Sequence, residues 1–433
     1  MSEFGSWGNY PPGKQRGLYL PDKYSALPEV DNHLLPYGLG RSYGDSCRNQ
    51  AGAVLSSRRL DKFIHFDRQN GIVHCEAGVT LADIIAICLP HGWFLPVTPG
   101  TKYVTLGGAI ANDVHGKNHH MAGSFGHHVL SFELLRSDGS RRRCSAQENS
   151  DWFFATIGGL GLTGFVTFVK MQLKKVCSSY INSESIKYQT LTDFFRLSED
   201  SAGQYEYTVA WLDCLAKDRQ LGRGHFIRGN HADDGVFDMA REDKKRSVPV
   251  MPPLSLVNRL SLPIFNTLYY HRQRQPQVHA RTGYDAFFYP LDGILNWNRI
   301  YGKKGFVQHQ CVIPPANAEA GIREMLERIS HSGQGSFLVV LKMMGDIPGR
   351  GLLSFPCEGA TLAMDFPFLG NKTLRLLDEL DQVVMQSGGR VYPAKDARMS
   401  AALFQQAWPQ WQELEAMRDP LIMSDFWRRV SAQ

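Results

Sequence analysis

The sequence predicts a two-domain α+β protein, on three observations. The first 175 or so of its 433 residues alternate short strand patterns, short helix patterns and glycine turns. The residues from about 185 to 385 mix longer strand patterns with two clear amphipathic helices. The tail beginning "RVYPAKDARMS" has a different character again and is expected to return to the first domain. The expected boundaries are therefore 1–180 with 386–433 for one domain and 181–385 for the other. Length and a hydrophobic content of 43% suit such a plan.

Within the first domain, "NHLLPYGLGRSYGDSC" sets one proline and three glycines after a short apolar run, a turn signal. Ile72 to Ala77 reads as a strand, and Thr80 is placed to cap a helix from Leu81 to Leu89 that stops near Pro90. "WFLPVTPGTKYVTLGGAIAND" reads as strand, turn and a helix opening on two glycines. "HHVLSFELLRSDGSRRRC" reads as two strands about the turn Ser137–Asp138–Gly139. "DWFFATIGGLGLTGFVTFVKMQLKKV" gives a short helix, a glycine turn and a long strand.

In the second domain, the stretch from Ser183 to about Tyr205 suggests strand, helix and strand. The charged, proline-rich "NHADDGVFDMAREDKKRSVPVMPPLSL" reads as a loop or crossing segment. Aromatics then cluster: Phe265, Tyr269, Tyr270, Tyr284, Phe287, Phe288, Tyr289 and Trp297. "GFVQHQCVIP", "GSFLVVLKMMG" and "ATLAMDFPF" read as strands. Ile322, Met325, Leu326 and Ile329 recur at i, i+3, i+4, i+7 and mark one helix; "NKTLRLLDELDQVVMQSGG" is a second, ending at glycines.

A formal charge of +5 over this length gives no ground for a nucleic-acid partner; it permits a faint attraction to an anionic substrate or membrane surface. The eight cysteines contain no CxxC pair, which disfavours a cysteine-rich metal site, and reduced thiols are expected. No signal peptide or run of about 18 apolar residues is visible, so a cytoplasmic or membrane-peripheral location is expected.

Three glycine-bearing stretches carry the chemistry of the first domain. Gly38, Gly40 and Gly44 in "PYGLGRSYGD" can bring amides together as an anion cradle, although their spacing is not that of the Rossmann fingerprint. Gly107 and Gly108 open a helix, and "GGLGLTG" from Gly158 to Gly164 can pass close to a planar ring. One such loop alone is most simply a turn; three in one domain raise the expectation of a dinucleotide. In "ANDVHGKNHH", His115 and His119 are four apart, but Gly116 weakens a helix and no glutamate follows His115. No metal is expected; ligand contact or structural hydrogen bonding is.

"LPYGLGRSYGDS", "TPGTKYVTLGGAIANDVHGKNHHMAGSFGHHV", "WFFATIGGLGLTG", "YPLDGILNWNR", "GFVQHQCVIP" and "YPAKDARMS" resemble the decaprenylphosphoryl-β-ribose oxidase family over residues 8 to 430 or so. That family lies within the vanillyl-alcohol-oxidase superfamily of FAD proteins with the PCMH-type fold. The resemblance implies noncovalent FAD. It places Gly38, Leu39, Gly40, Arg41, Ser42, Tyr43, Gly44 and Asp45 at the pyrophosphate, with Tyr43 near the flavin. Gly100, Thr105, Leu106, Gly107 and Gly108 continue the cradle; Asn112, Asp113, Val114 and His115 line the flavin; Val166 lies on the adenine side; Tyr392 touches FAD. Tyr43, Phe288, Gln308, Gln310, Lys342 and Lys395 are implied to meet the substrate.

By the same resemblance, the activity is oxidation of a secondary sugar hydroxyl, C2′ of a polyprenyl-phosphoryl pentose, giving the keto intermediate of a two-enzyme epimerisation. The expected partners are a short-chain NAD(P)H-dependent reductase and a quinone or other electron acceptor. Lys395 is the expected stabiliser of negative charge at the flavin N1–C2 edge; Lys342 is expected to bind phosphate or activate the hydroxyl; His115 helps or positions. Two other readings stand beside this one: an aldonolactone or alditol oxidase on a soluble sugar, and a flavin-binding scaffold without turnover. Two departures from the family are visible. Ala363 replaces a cysteine that the family carries, so thiol-directed covalent trapping should fail there. Only 35 residues precede Pro36, so the first strands of the FAD domain are expected to be trimmed.

Overall fold

A computed structural model describes residues 4–238 and 246–431. In the first domain, strands Arg16–Tyr19 and Leu34–Tyr37 flank Ala53–Ser56 in a three-stranded parallel sheet. The strand Arg16–Tyr19, in the segment before Pro36, forms one edge of this sheet. A five-stranded antiparallel sheet runs in the order Phe63–Asp67, Ile72–Glu76, Phe165–Gln172, Val129–Leu135, Arg141–Ser145. Along Phe165–Gln172 every second residue is buried, as the period of a half-covered strand requires.

The helix Leu81–Cys88 begins at Thr80, whose hydroxyl accepts from Asp83 N while Asp83 accepts from Thr80 N. This reciprocal cap fixes the start of the helix where the sequence placed it. The helix Leu106–Ala111 is capped by Thr105, whose Oγ1 accepts from Gly108 N at 3.2 Å. Its two glycines sit in the first turn, so the backbone is bare where it faces the cavity described below.

The second domain is built on an eight-stranded antiparallel sheet. Its order is Gln277–Gly283, Tyr180–Tyr188, Gly224–His231, Tyr207–Leu212, Val339–Met344, Gly359–Pro367, Phe306–Ile313, Arg390–Val391. Helices Leu191–Ser201, Ala318–Ser332 and Asn371–Gln386 pack against it through Leu191, Phe194, Ile322, Met325, Leu326, Leu377 and Leu380. On that side His309 Nε2 meets Asp381 Oδ1 at 3.0 Å.

Several elements were not anticipated, among them the strand Gly224–His231 and the two that follow the expected loop. The helix Ser261–His271 carries Pro263 in its first turn, where the backbone N–H groups have no intrahelical partner, so proline removes no hydrogen bond. The edge strand Gln277–Gly283 is mostly exposed and polar and lacks the apolar alternation that marks a strand. The expected loop ahead of both, from residue 230 to 256, holds for most of its described length, with the parallel pair Arg246–Ser247 and Ile294–Leu295 added; its residues 239–245 lie outside the described residues. The tail divides. Arg390–Val391 extends the eight-stranded sheet, whereas beyond them Ile422 bridges to Leu34 and Asp425 N donates to Arg48 O at 2.7 Å.

Candidate active site

A cavity of about 1210 Å³ lies between the glycine-bearing loops and one face of the eight-stranded sheet. Pockets for a single small ligand span about 300–1,000 Å³, so this one has room for a dinucleotide and a second ligand. Gly38, Leu39, Gly40, Arg41, Ser42, Tyr43, Gly100, Thr105, Gly107, Gly108, Asn112, Val114, His115, Val166 and Tyr392 all line it, as do Phe288, Gln308, Gln310, Lys342 and Lys395.

The glycine wall is held too tightly for side chains. A Cβ on Gly38 would lie 2.4 Å from Thr105 Oγ1, the capping atom of the next helix. Gly40 has φ +61°, and a Cβ there would lie 2.1 Å from Tyr37 Oη. Arg41 stacks on Trp7 at 4.3 Å and donates from Nε to Tyr103 O at 3.1 Å, which keeps a guanidinium at this wall. At Gly100, by contrast, an added Cβ meets nothing within 4 Å, so open space reaches the backbone. These features fit FAD: bare backbone along a long cleft, with an arginine beside it.

Four expected cofactor residues do not reach the cavity. Gly44 lies behind the wall, where two chain segments pack closely and a Cβ would be 1.7 Å from Asp396 O. Asp45 is buried and paired with Arg429 at 2.8 Å, tying the tail to the loop. Leu106 is wholly buried in the first domain's core. Asp113 turns inward: its carboxylate accepts from Ser124 Oγ at 2.8 Å, Gly126 N at 2.8 Å and Ser354 Oγ at 2.6 Å. That carboxylate holds the turn carrying His115 and is already satisfied without a ligand.

The sheet face opposite is a product of register. Gln308 pairs with Asp365, Gln310 with Ala363, Val340 with Ala363 and Lys342 with Thr361. Because side chains alternate along strands, these residues share one face, and all of them line the cavity. Lys342 is buried; its Nζ donates to Gly116 O at 2.5 Å and to His115 Nδ1 at 2.7 Å. Burial brings its ammonium down to about 7. Burial, then the Lys342 charge, keeps the imidazole of His115 neutral. His115 is held from both sides, Nδ1 facing Lys342 Nζ at 2.7 Å and Nε2 facing Gln310 Nε2 at 3.0 Å.

Lys395 closes the junction between the two walls. Its Nζ stands 3.7 Å from the centroid of the Tyr43 ring, and Tyr43 N donates to Ala394 O at 2.9 Å. Burial brings Lys395 down to about 8, opposed by the charge of Asp365. Asp365 is itself buried and raised to about 7; its Oδ1 accepts from Gln308 Nε2 at 2.5 Å. Tyr392 donates from its hydroxyl to Asn112 O at 2.9 Å and stacks on Phe355 at 4.4 Å. Phe288 sits edge-on to Tyr207 at 4.8 Å in the aromatic cluster.

Sequence reasoning missed Asp365 and Lys117. The alternation of Thr361, Ala363 and Asp365 against buried Leu362, Met364 and Phe366 was the signal for the first. Lys117 is buried beside Phe287, with Nζ 4.5 Å from the ring centroid, and no local pattern announced it. Of the three histidines in "ANDVHGKNHH", His115 alone lines the cavity; His120 Nε2 meets Tyr205 O at 2.9 Å. Among the described residues no group of three or more His, Cys, Asp or Glu is placed to hold a metal.

Comparison with known proteins decides the lineage. Residues 26–145 match the FAD binding domain family. A decaprenylphosphoryl-beta-D-ribose oxidase of Mycolicibacterium smegmatis is 35% identical over 421 residues, covering 94% of this chain and 90% of that protein. The chain belongs to the decaprenylphosphoryl-β-D-ribose oxidase family. It has the PCMH-type, vanillyl-alcohol-oxidase-like fold and is an FAD-dependent oxidoreductase acting on CH–OH donors, with noncovalent FAD as its cofactor. An uncharacterized protein in the mprA 5′ region of Streptomyces coelicolor is 32% identical over 373 residues, 81% of this chain and all 100% of its own. The human Delta(24)-sterol reductase is 34% identical over 141 residues, only 29% of this chain and 27% of the reductase. Among the described residues no helix is long and apolar enough to cross a membrane.

Proposed function

We propose that this protein oxidises the C2′ hydroxyl of a polyprenyl-phosphoryl pentose to the ketone, as the first half of an epimerisation. The supporting observation is a single cavity in which the glycine wall faces the sheet residues Gln308, Gln310 and Lys342, with Lys395 at the junction. FAD, when bound along Gly38–Tyr43, Gly100, Thr105, Gly107, Gly108, Asn112, Val114 and Val166, supplies the hydride acceptor. Lys395, held over Tyr43, offsets negative charge that develops at that junction. Lys342 loses its proton near neutrality and is the group suited to take the hydroxyl proton. His115, fixed between Lys342 and Gln310, positions that amine. Gln308, Gln310 and Phe288 present polar and apolar contacts to the sugar, and the lysines favour its phosphate.

The domain division at about 180 and 385, with the tail returning, is the arrangement that serves this reading: cofactor on one side, sugar on the other. A short-chain NAD(P)H-dependent reductase would return the ketone from the opposite face, and a quinone or other carrier would reoxidise the enzyme. The test is anaerobic mixing of the yellow holoenzyme with polyprenyl-phosphoryl ribose and with free pentoses. Loss of the oxidised flavin band with the first, and a 2′-keto product, is expected. Equal bleaching by free sugars would overturn the phosphate-linked assignment.

A further inference from the structure

The helix Ser261–His271 has two opposite faces. Leu262, Asn266 and Tyr270 are buried at i, i+4, i+8; Asn266 donates to Asp213 Oδ1 at 2.9 Å and Tyr270 to Tyr188 O at 3.2 Å. These contacts anchor the helix on the second domain. The other stripe, Leu260, Ile264 and Leu268, repeats the same spacing and is 80%, 62% and 67% exposed. The preceding segment adds Val250 at 71% and Leu254 at 77% exposure. Large apolar side chains scattered singly need no explanation, but three along one stripe of a helix, with two more exposed in its lead-in, mark a contact surface.

The charge around it selects the occupant. From residue 246 to 274 the sequence holds Arg246, Arg259, Arg272 and Arg274 and no Asp or Glu. Lys303 and Lys304 adjoin: they follow Gly302, whose Cβ would lie 3.0 Å from Leu254. Apolar side chains with basic neighbours and no acids suit the interface of an anionic bilayer, where leucine and isoleucine enter the acyl boundary and arginine meets headgroup phosphate. The same helix also reaches the active-site cavity, since Phe265, Tyr269 and Arg272 line it, with Arg272 4.0 Å over the Tyr269 ring.

We propose that the Leu260–Ile264–Leu268 face seats the protein on an anionic lipid bilayer, with the cavity mouth at the membrane surface. That this orientation serves delivery of a lipid-linked sugar rests on the proposed function; the docking itself does not.

The experiment is cosedimentation of the holoenzyme with phosphatidylcholine vesicles, with and without phosphatidylglycerol, and no sugar present. Binding is expected to the mixed vesicles and to weaken as salt is raised. The triple variant Leu260→Glu, Ile264→Glu, Leu268→Glu should bind at least about tenfold more weakly. None of the three lines the cavity, so the variant should keep its FAD content and its rate of reduction by a water-soluble, short-chain phosphoryl pentose. If the triple variant loses FAD, Leu260→Glu and Leu268→Glu singly replace it. Failure of the wild type to bind mixed vesicles, or unchanged binding by the variants, would overturn the proposal. So would a concentration-dependent dimer, abolished by the triple variant, in protein that ignores vesicles. A vesicle-bound enzyme that no sugar reduces would refute the proposed substrate and leave the docking face standing.

Discussion

Lys395 Nζ lies 3.7 Å from the centre of the Tyr43 ring, on a strap whose Ala394 carbonyl accepts from Tyr43 N. One residue comes from the N-terminal glycine loop and the other from beyond the eight-stranded sheet, so the contact joins the two walls of the cavity. An ammonium resting on an aromatic face keeps its charge without a carboxylate in direct contact. Lys395→Ala should therefore retain FAD while its rate of reduction by substrate falls by about 10²–10³, the usual loss when one charge-stabilising donor is removed. Rapid-mixing absorbance checks this; full occupancy with an unchanged rate would remove Lys395 from the chemistry.

Asp365 tunes that lysine. Its carboxylate raises Lys395 against the burial that lowers it, and Asp365 is itself ionised only above about 7. Asp365→Asn should leave the acidic side of the pH–rate profile unchanged. The alkaline fall, as Lys395 loses its proton, should begin about 1 pH unit earlier. Superimposable alkaline limbs in the wild type and variant would sever the link.

The legibility of this protein in its sequence divides by physical range. Local signals gave the elements well: the Thr80 cap, the turn at Ser137–Asp138–Gly139 and the stripe Ile322, Met325, Leu326, Ile329 all stand where the chain placed them. Pro263 concealed a helix because a proline looks like a stop unless its place in the first turn is known. The cavity residues came from family motifs, yet in the same motifs the carboxylates of Asp45 and Asp113 turn to Arg429 and to Ser124, Gly126 and Ser354. A motif does not say which way a carboxylate faces. Strand alternation turns Asp365 toward the cavity, but its partner Gln308 lies across the strand pair some fifty residues away, and pairing of that range leaves no local trace.

The glycine wall gives a paired prediction. Gly44→Ala must displace the Asp396 carbonyl, so the apoprotein should lose about 1–3 kcal/mol or more of stability. Gly100→Ala meets no protein atom within 4 Å and should leave the apoprotein's denaturation midpoint where it was, while weakening FAD binding. Denaturant titration of apoprotein and flavin fluorescence quenching separate the two effects. A destabilised Gly100→Ala apoprotein would contradict the open space seen there.

Lys342 gives a pH signature in stability. Its folded value is about 7 against an ordinary 10.5, so the unfolded chain binds the extra proton between those limits. Stability then rises with pH across that window, and the burial penalty is carried in full below about 7. Lys342→Met removes this dependence, at a pH-independent loss from leaving Gly116 O and His115 Nδ1 without their donor. Relative to the wild type, the variant apoprotein should therefore gain more at about pH 6 than at about pH 9, with a difference on the order of 1–3 kcal/mol. Urea unfolding at the two values measures it. An equal difference at both would mean that the amine keeps its proton throughout, and that it cannot accept one from a hydroxyl near neutrality.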